Sequence, residues 1–259
     1  MKQIILKKLI EDHSGYAEAV KRLRTNVKFC GSSIKVIAFT SSLPGEGKSD
    51  VTYALLQSLA QIGKKVILID ADIRKSVLVS RLEVRTKVQG LSEYLSGQCE
   101  MDDVICTTNY EGLDVVFAGS YSPNASELLE EERFSELIQT CREAYDYVLI
   151  DTPPLGVVTD CAIVARQCDG IILVVEAEAI SYRLLQKVKA QLDNTGTRIL
   201  GVVLNKVSEK SEGYYGKYGR YGKYGRYGKY SRYDKYGKYS AYGEESAKDK
   251  KPARRDADK

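Results

Sequence analysis

The sequence predicts an α/β fold, a doubly wound and mostly parallel sheet, and three observations predict it. Short apolar runs rich in β-branched residues alternate with helix-length amphipathic stretches from residue 16 to residue 204. The runs carry almost no polar alternation, as strands covered on both faces do. Glycine and aspartate collect where runs end, and ligands bind at those carboxyl ends in sheets of this kind.

The strand runs are residues 35–40 (KVIAFT), 66–69, 113–117, 147–150, 171–175 and 199–204, and the helix-length stretches are 16–29, 49–62, 126–144, 159–167 and 182–192. A single domain over residues 1–207 is the simplest account. No apolar run reaches the roughly 18 residues of a spanning helix, and the stretch at residues 1–12 is too short for a signal peptide. The six cysteines have no CxxC spacing and are expected to be reduced thiols of a cytoplasmic protein. With His13 as the one histidine, ahead of the first periodic segment, histidine chemistry is not expected.

Composition changes near Val207. Residues 208–259 are expected to be a disordered tail, dominated by tyrosine, glycine and lysine or arginine and lacking the aliphatic residues of a core. Tyrosine stands at 214 and then at every third position: Tyr215, Tyr218, Tyr221, Tyr224, Tyr227, Tyr230, Tyr233, Tyr236, Tyr239 and Tyr242. Residues 211–259 hold fourteen Lys/Arg against seven Asp/Glu, a balance of +7, which leaves −3 on the rest of a chain of net charge +4. The basicity belongs to the tail.

The strongest motif is SLPGEGKS, residues 42–49, after a predicted strand and before a predicted helix. It fits G-x-x-x-x-G-K-[ST] with Ser42 in place of the first glycine. Gly45 and Gly47 let the backbone curl so that its N–H groups converge on phosphate. Lys48 is placed to reach the β- and γ-phosphates and the Ser49 hydroxyl to ligate Mg²⁺, while the following helix turns its positive end to the anion. The sheet is therefore expected to be that of a P-loop NTPase. Asp70 and Asp72 follow the strand run VILID, and Asp151 ends YVLID, where a carboxylate can hold the hydration shell of Mg²⁺. Any one of these could instead cap a turn; three beside a phosphate loop point to an ATP and Mg²⁺ site.

PGEGKS, ILIDADIRK, PNASELL (123–129), IDTPPLGVVTDC (150–161) and LGVVLNK (200–206), with the tyrosine cluster, resemble in order the bacterial tyrosine kinases of capsular and exopolysaccharide assembly. These have a deviant Walker, MinD-like P-loop fold. The resemblance implies Mg·ATP, a Walker A′ motif at Asp70 and Asp72, and a Walker B motif at Asp151. It implies catalytic roles for Lys48, Asp70, Asp72 and Asp151, with Ser49, Asp72 and Asp151 at the metal. The nucleotide set it implies is Pro44, Gly45, Glu46, Gly47, Lys48, Ser49, Asp50 and Asn205. Asp50 stands where the family usually has a small hydroxyl residue, so weakened ATP affinity is expected from its repulsion of phosphate. Glu18, Lys21 and Arg24 are similar to the family's ring-building E-x-x-R-x-x-R, with Lys21 in place of an arginine.

The tail supplies an acceptor. Phosphoryl transfer needs positioning and charge neutralisation, and Asp70 is the candidate base for a phenol, with Asp72 behind it. A glycine-rich chain spans about 5–6 Å × √n, so Tyr230 ranges roughly 25 Å beyond Val207, enough to visit a neighbouring subunit. The resemblance implies transfer in trans within a homo-oligomeric ring. It also implies a membrane-anchored activator of the polysaccharide co-polymerase type, recruitment to the inner face of the plasma membrane, and a protein-tyrosine phosphatase. Nucleic acid is not expected as a partner, although interleaved Arg/Lys and Tyr can stack on single strands, and the tail could be an inert spacer. The rival functions are a partitioning or positioning ATPase of the MinD/ParA-like class, which would carry a lysine at the position of Leu43, and a non-catalytic scaffold.

Overall fold

The computed structural model describes residues 2–6, 14–84 and 86–207. The boundary expected after residue 207, the tyrosine segment and His13 lie outside the described residues.

Among the described residues eight strands form one sheet: β1 (Lys2–Gln3), β2 (Val36–Ser41), β3 (Val66–Asp70), β4 (Ile105–Thr107), β5 (Leu113–Val116), β6 (Tyr147–Asp151), β7 (Gly170–Glu176) and β8 (Ile199–Asn205). Their order is β1-β4-β5-β3-β6-β2-β7-β8. Every pairing is parallel except β4 with β5. β6 lies between β3 and β2, so the carboxyl ends of three strands with chemical motifs stand side by side.

The helices are α1 (Ser14–Phe29), α2 (Lys48–Ala60), α3 (Leu78–Arg81), α4 (Leu91–Leu95), α5 (Met101–Val104), α6 (Ala125–Glu130), α7 (Glu132–Ala144), α8 (Asp160–Ala165) and α9 (Tyr182–Asp193). Side chains along a strand point alternately to the two faces, and β2 divides accordingly. Ile37 and Phe39 join Val27 of α1, Leu55 and Leu59 of α2 and Leu78 of α3 in one core. Val36 and Ala38 join Tyr94, Leu129, Phe134, Val164 and Val188, from α4 and α6–α9, in the other. Burying an Ile, Leu or Phe side chain contributes about 1.5–3 kcal/mol, so these two layers hold the sheet in place.

All six expected strands are present. β1 and β4, of two and three residues, were not expected. The stretch 126–144 forms two helices instead of one, because Glu131 takes an extended conformation (φ −63°, ψ 148°) between α6 and α7. All six cysteines are free thiols; burial pushes the Cys141 thiol up to about 12. Among the described residues no helix is long and apolar enough to cross a membrane.

Candidate nucleotide site

The loop between β2 and α2 is shaped from outside. Gly45 and Gly47 adopt left-handed backbone angles, φ 88° and 86°, which glycine reaches without a Cβ penalty. Asn205 Nδ2 donates to the Glu46 carbonyl at 2.9 Å. Lys206 Nζ donates to the Gly45 carbonyl at 2.6 Å and pairs with Glu176 at 2.9 Å. The Glu46 carboxylate accepts the N–H of Leu43 at 2.7 Å and of Glu176 at 3.2 Å. Glu46 and Asn205 thus lock the loop to the ends of β7 and β8.

With those carbonyls engaged, the N–H groups of Gly45, Glu46 and Gly47 donate to no backbone acceptor among the described residues. A cradle of free donors opening a helix suits a phosphate group. Pro44 stands in the same loop without an N–H. Ser42 Oγ is buried with no hydrogen-bond partner.

Lys48 and Ser49 open α2. Lys48 Nζ meets Asp151 Oδ1 at 2.5 Å, with both side chains buried, and lies 3.3 Å from Ser49 Oγ. Asp151 ends β6 and is the register partner of Asp70 at the end of β3. Asp70 Oδ1 accepts the N–H of Asp72 at 3.2 Å, and Oδ2 accepts the hydroxyl of Ser76. Asp72 Oδ1 accepts the N–H of Lys75 at 3.0 Å. Burial, and then the charge of Asp151, raises the Asp70 carboxyl to about 8. Burial also raises Asp72, against the opposing pull of Lys48. Lys48, Asp70, Asp72 and Asp151, distant in sequence, therefore form one electrostatic group.

Among the described residues no three or more His, Cys, Asp or Glu side chains are disposed to hold a metal ion by themselves. One or two carboxylates, a serine hydroxyl and phosphate oxygens are the donors Mg²⁺ takes, with water completing its shell. The donor set fits Mg²⁺ carried in with a nucleotide.

Four expected residues make contacts the sequence did not foretell. Asp50, on the first turn of α2, forms an ion pair with Arg81 of α3. Glu18 and Lys21 pair with one another at 3.6 Å on an exposed face. Arg24 is held within the chain, its guanidinium donating to the Ser58 carbonyl at 2.8 Å and hydroxyl at 3.0 Å.

Sequence reasoning also passed over a cluster beside the site. Arg74 donates from Nε to Asp160 Oδ2 at 2.6 Å and from a terminal nitrogen to Asp160 Oδ1 at 3.1 Å and Ser126 Oγ at 3.0 Å. Ser126 Oγ donates to Asp160 Oδ1 at 2.8 Å, and Arg74 also reaches the Pro123 carbonyl at 3.2 Å. The residues lie in ILIDADIRK, PNASELL and IDTPPLGVVTDC, three motifs that the fold brings together. The available signal was one arginine and one aspartate at fixed places in two of them.

Residues 34–200 match the model of the AAA domain family. The chain is 43% identical over 204 residues to the tyrosine-protein kinase CpsD of Streptococcus agalactiae, covering 78% of this chain and 89% of that one. It resembles the solved kinase domain of the Escherichia coli tyrosine kinase ETK at 32% identity and a TM-score of 0.72, covering 82% of this chain and 80% of that one. It is also similar to the septum site-determining protein MinD of Pyrococcus horikoshii, solved with Mg-ADP, at 27% identity and a TM-score of 0.58, over 68% and 72% of the two chains.

Proposed function

The chain belongs to the bacterial tyrosine-protein kinases, and on that premise we propose that it transfers the γ-phosphoryl group of Mg·ATP to protein tyrosine, foremost the C-terminal tyrosines of a neighbouring copy. The observation that carries this reading is the Lys48–Asp151 contact of 2.5 Å at the mouth of the phosphate loop. It stores a cation where a triphosphate would end, against a carboxylate that a metal can claim.

Binding begins with the N–H groups of Gly45, Glu46 and Gly47 on phosphate oxygens. Lys48 exchanges Asp151 for the β- and γ-phosphates. Ser49, Asp72 and the released Asp151 would hold the metal. Bound Mg²⁺ would neutralise charge across the terminal phosphates and hold them in line for displacement. Asp70 receives the phenol proton as the tyrosine oxygen bonds to phosphorus and ADP leaves. A carboxyl raised toward neutrality by burial is better matched to that proton than an ordinary one.

By the same family likeness, the kinase acts in capsular or exopolysaccharide synthesis and export. A membrane-anchored activator of the co-polymerase type holds it at the inner face of the plasma membrane, a tyrosine phosphatase reverses its action, and Glu18, Lys21 and Arg24 belong to a ring contact. The likeness to MinD supports a second reading, a nucleotide-driven positioning ATPase. Against it, the place of an early loop lysine is taken by Leu43, whose N–H is bonded to Glu46.

Incubating the full chain with γ-labelled ATP and Mg²⁺ separates these readings. Phosphotyrosine within residues 214–242, abolished in Lys48→Met, is the expected result. Free phosphate alone would establish the ATPase, and no turnover with any activator would leave a scaffold.

A further inference from the structure

Resting on the kinase reading, the geometry points to an acceptor-docking groove at the carboxyl ends of β3 and β5 that takes tyrosines preceded by a basic residue, from the tail of a second copy. Ser76 marks its inner end. Its hydroxyl touches Asp70, and it also lines a shallow cleft with Val79, Ser80 and Val84. Val79 borders in turn a larger groove, lined among others by Asp102, Asp103, Phe117 and Ser120. Phe117 and Ser120 follow β5 as Ser76 follows β3, so the continuous surface lies at the same sheet end as the phosphate loop. Val77 and Val79 are exposed there and offer apolar contact to an aromatic ring.

Charge identifies the occupant. In the sequence, Lys or Arg stands immediately before each of eight tyrosines from Tyr218 to Tyr239. An extended chain advances about 3.3 Å per residue, so in an extended occupant tyrosines three residues apart would be spaced roughly 10 Å, with a basic neighbour at each. Asp102, on α5, forms no ion pair among the described residues, and Asp103 spends one oxygen on the N–H of Glu100 at 3.0 Å. Glu93 also lines the groove but is turned to the N–H groups of Gly90 at 2.9 Å and Ser120 at 3.0 Å. Lys2 and Lys87 line it too, with Lys2 Nζ bonded to the Lys87 carbonyl, so three carboxylates stand against two ammonium groups in the lining. Asp102 and Asp103 are the carboxylates left to meet an incoming cation, and rim charges of this kind select partners.

The test uses the full chain with two added peptides, one of Gly-Lys-Tyr repeats and one of Gly-Glu-Tyr repeats, of equal length. The wild type is expected to phosphorylate the lysine peptide with a KM about three- to ten-fold lower, a difference that shrinks with added salt. Asp102→Lys should erase or invert this preference, and Asp102→Asn should fall between, with melting temperatures showing that both fold. Equal KM values for the two peptides, or a preference unmoved by Asp102→Lys, would overturn the groove while leaving the kinase standing. Failure of the wild type to label any tyrosine, in tail or peptide, with any activator would overturn the kinase reading itself.

Discussion

Arg74 grips both carboxylate oxygens of the buried Asp160, at 2.6 and 3.1 Å. The pair ties the turn after β3, which carries Asp70 and Asp72, to the start of α8. Removing one partner strands the other, and a buried Asp160 without its cation costs more than the contact itself stabilises. Arg74→Ala is expected to lower stability by about 2–3 kcal/mol in urea unfolding. Arg74→Ala/Asp160→Asn should lose less than the sum of the single losses. Strict additivity would show that the two residues act independently.

Gly47 faces two obstacles to substitution. Its φ is +86°, and a Cβ would come within 2.1 Å of Asn205 Nδ2, the group that holds the Glu46 carbonyl. Gly47→Ala should cost roughly 1 kcal/mol or more of stability through backbone strain. By displacing Asn205 it should also weaken ADP binding at least about ten-fold in calorimetric titration. Asn205→Ala, which leaves the glycine, should reproduce part of the affinity loss with little strain.

Asp50 carries a counter-charge in Arg81. Both are roughly half exposed, with side-chain accessibilities of 49% and 38%, so the pair contributes at most about 1 kcal/mol. Repulsion of phosphate by Asp50 is therefore partly masked. Asp50→Thr is expected to tighten Mg·ATP binding by a few-fold, and Arg81→Ala to weaken it by exposing the carboxylate. Asp50→Thr/Arg81→Ala should bind as tightly as Asp50→Thr alone. Looser binding by Asp50→Thr would show that the carboxylate helps the nucleotide.

Asp70 makes the nucleotide-free protein pH-sensitive. Its carboxyl titrates near 8 when folded, against the ordinary carboxylate value when unfolded. Between the two values the folded chain binds the additional proton, so stability is fullest below about pH 4 as far as this group is concerned. It falls as the pH rises through 8. Thermal melts of the wild type should therefore lose ground from pH 6 to pH 8.5 relative to Asp70→Asn, which carries no titrating group there. Parallel pH profiles would remove Asp70 as the cause.

Phosphorylation should reverse the tail's charge. Each phosphotyrosine brings about −1.5 to −2, so six would outweigh the +7 of residues 211–259 and repel a slightly acidic body. Light scattering should find a smaller mean mass for the phosphorylated protein than for the dephosphorylated one. Equal masses would refute the idea.

Much of this site was legible in one dimension because its chemistry is written at strand ends. The spacing SLPGEGKS needs only a preceding strand and a following helix to make a cradle, and VILID and YVLID announce their terminal aspartates by the apolar runs before them. The break at Glu131 was not legible, since residues 126–144 have helical character throughout and only backbone angles divide them. The short strands β1 and β4 depend on neighbours to complete their hydrogen bonds, and runs of two and three residues carry no periodicity to read.

By itself the sequence determined the alternation of strand and helix, the phosphate loop, the three aspartates and the basic tyrosine repeat, because each is a local pattern of residue types. Tertiary structure alone decided that Lys48 rests on Asp151, that Arg74 closes on Asp160, that Asp50 turns to Arg81 and that Ser76 caps Asp70. Those pairs are separated by 103, 86, 31 and 6 residues. That Lys48 meets Asp151 and Arg74 meets Asp160 depends on strand order, here the insertion of β6 between β3 and β2, and on burial of Asp151 and Asp160 that makes an unpaired charge too costly to leave.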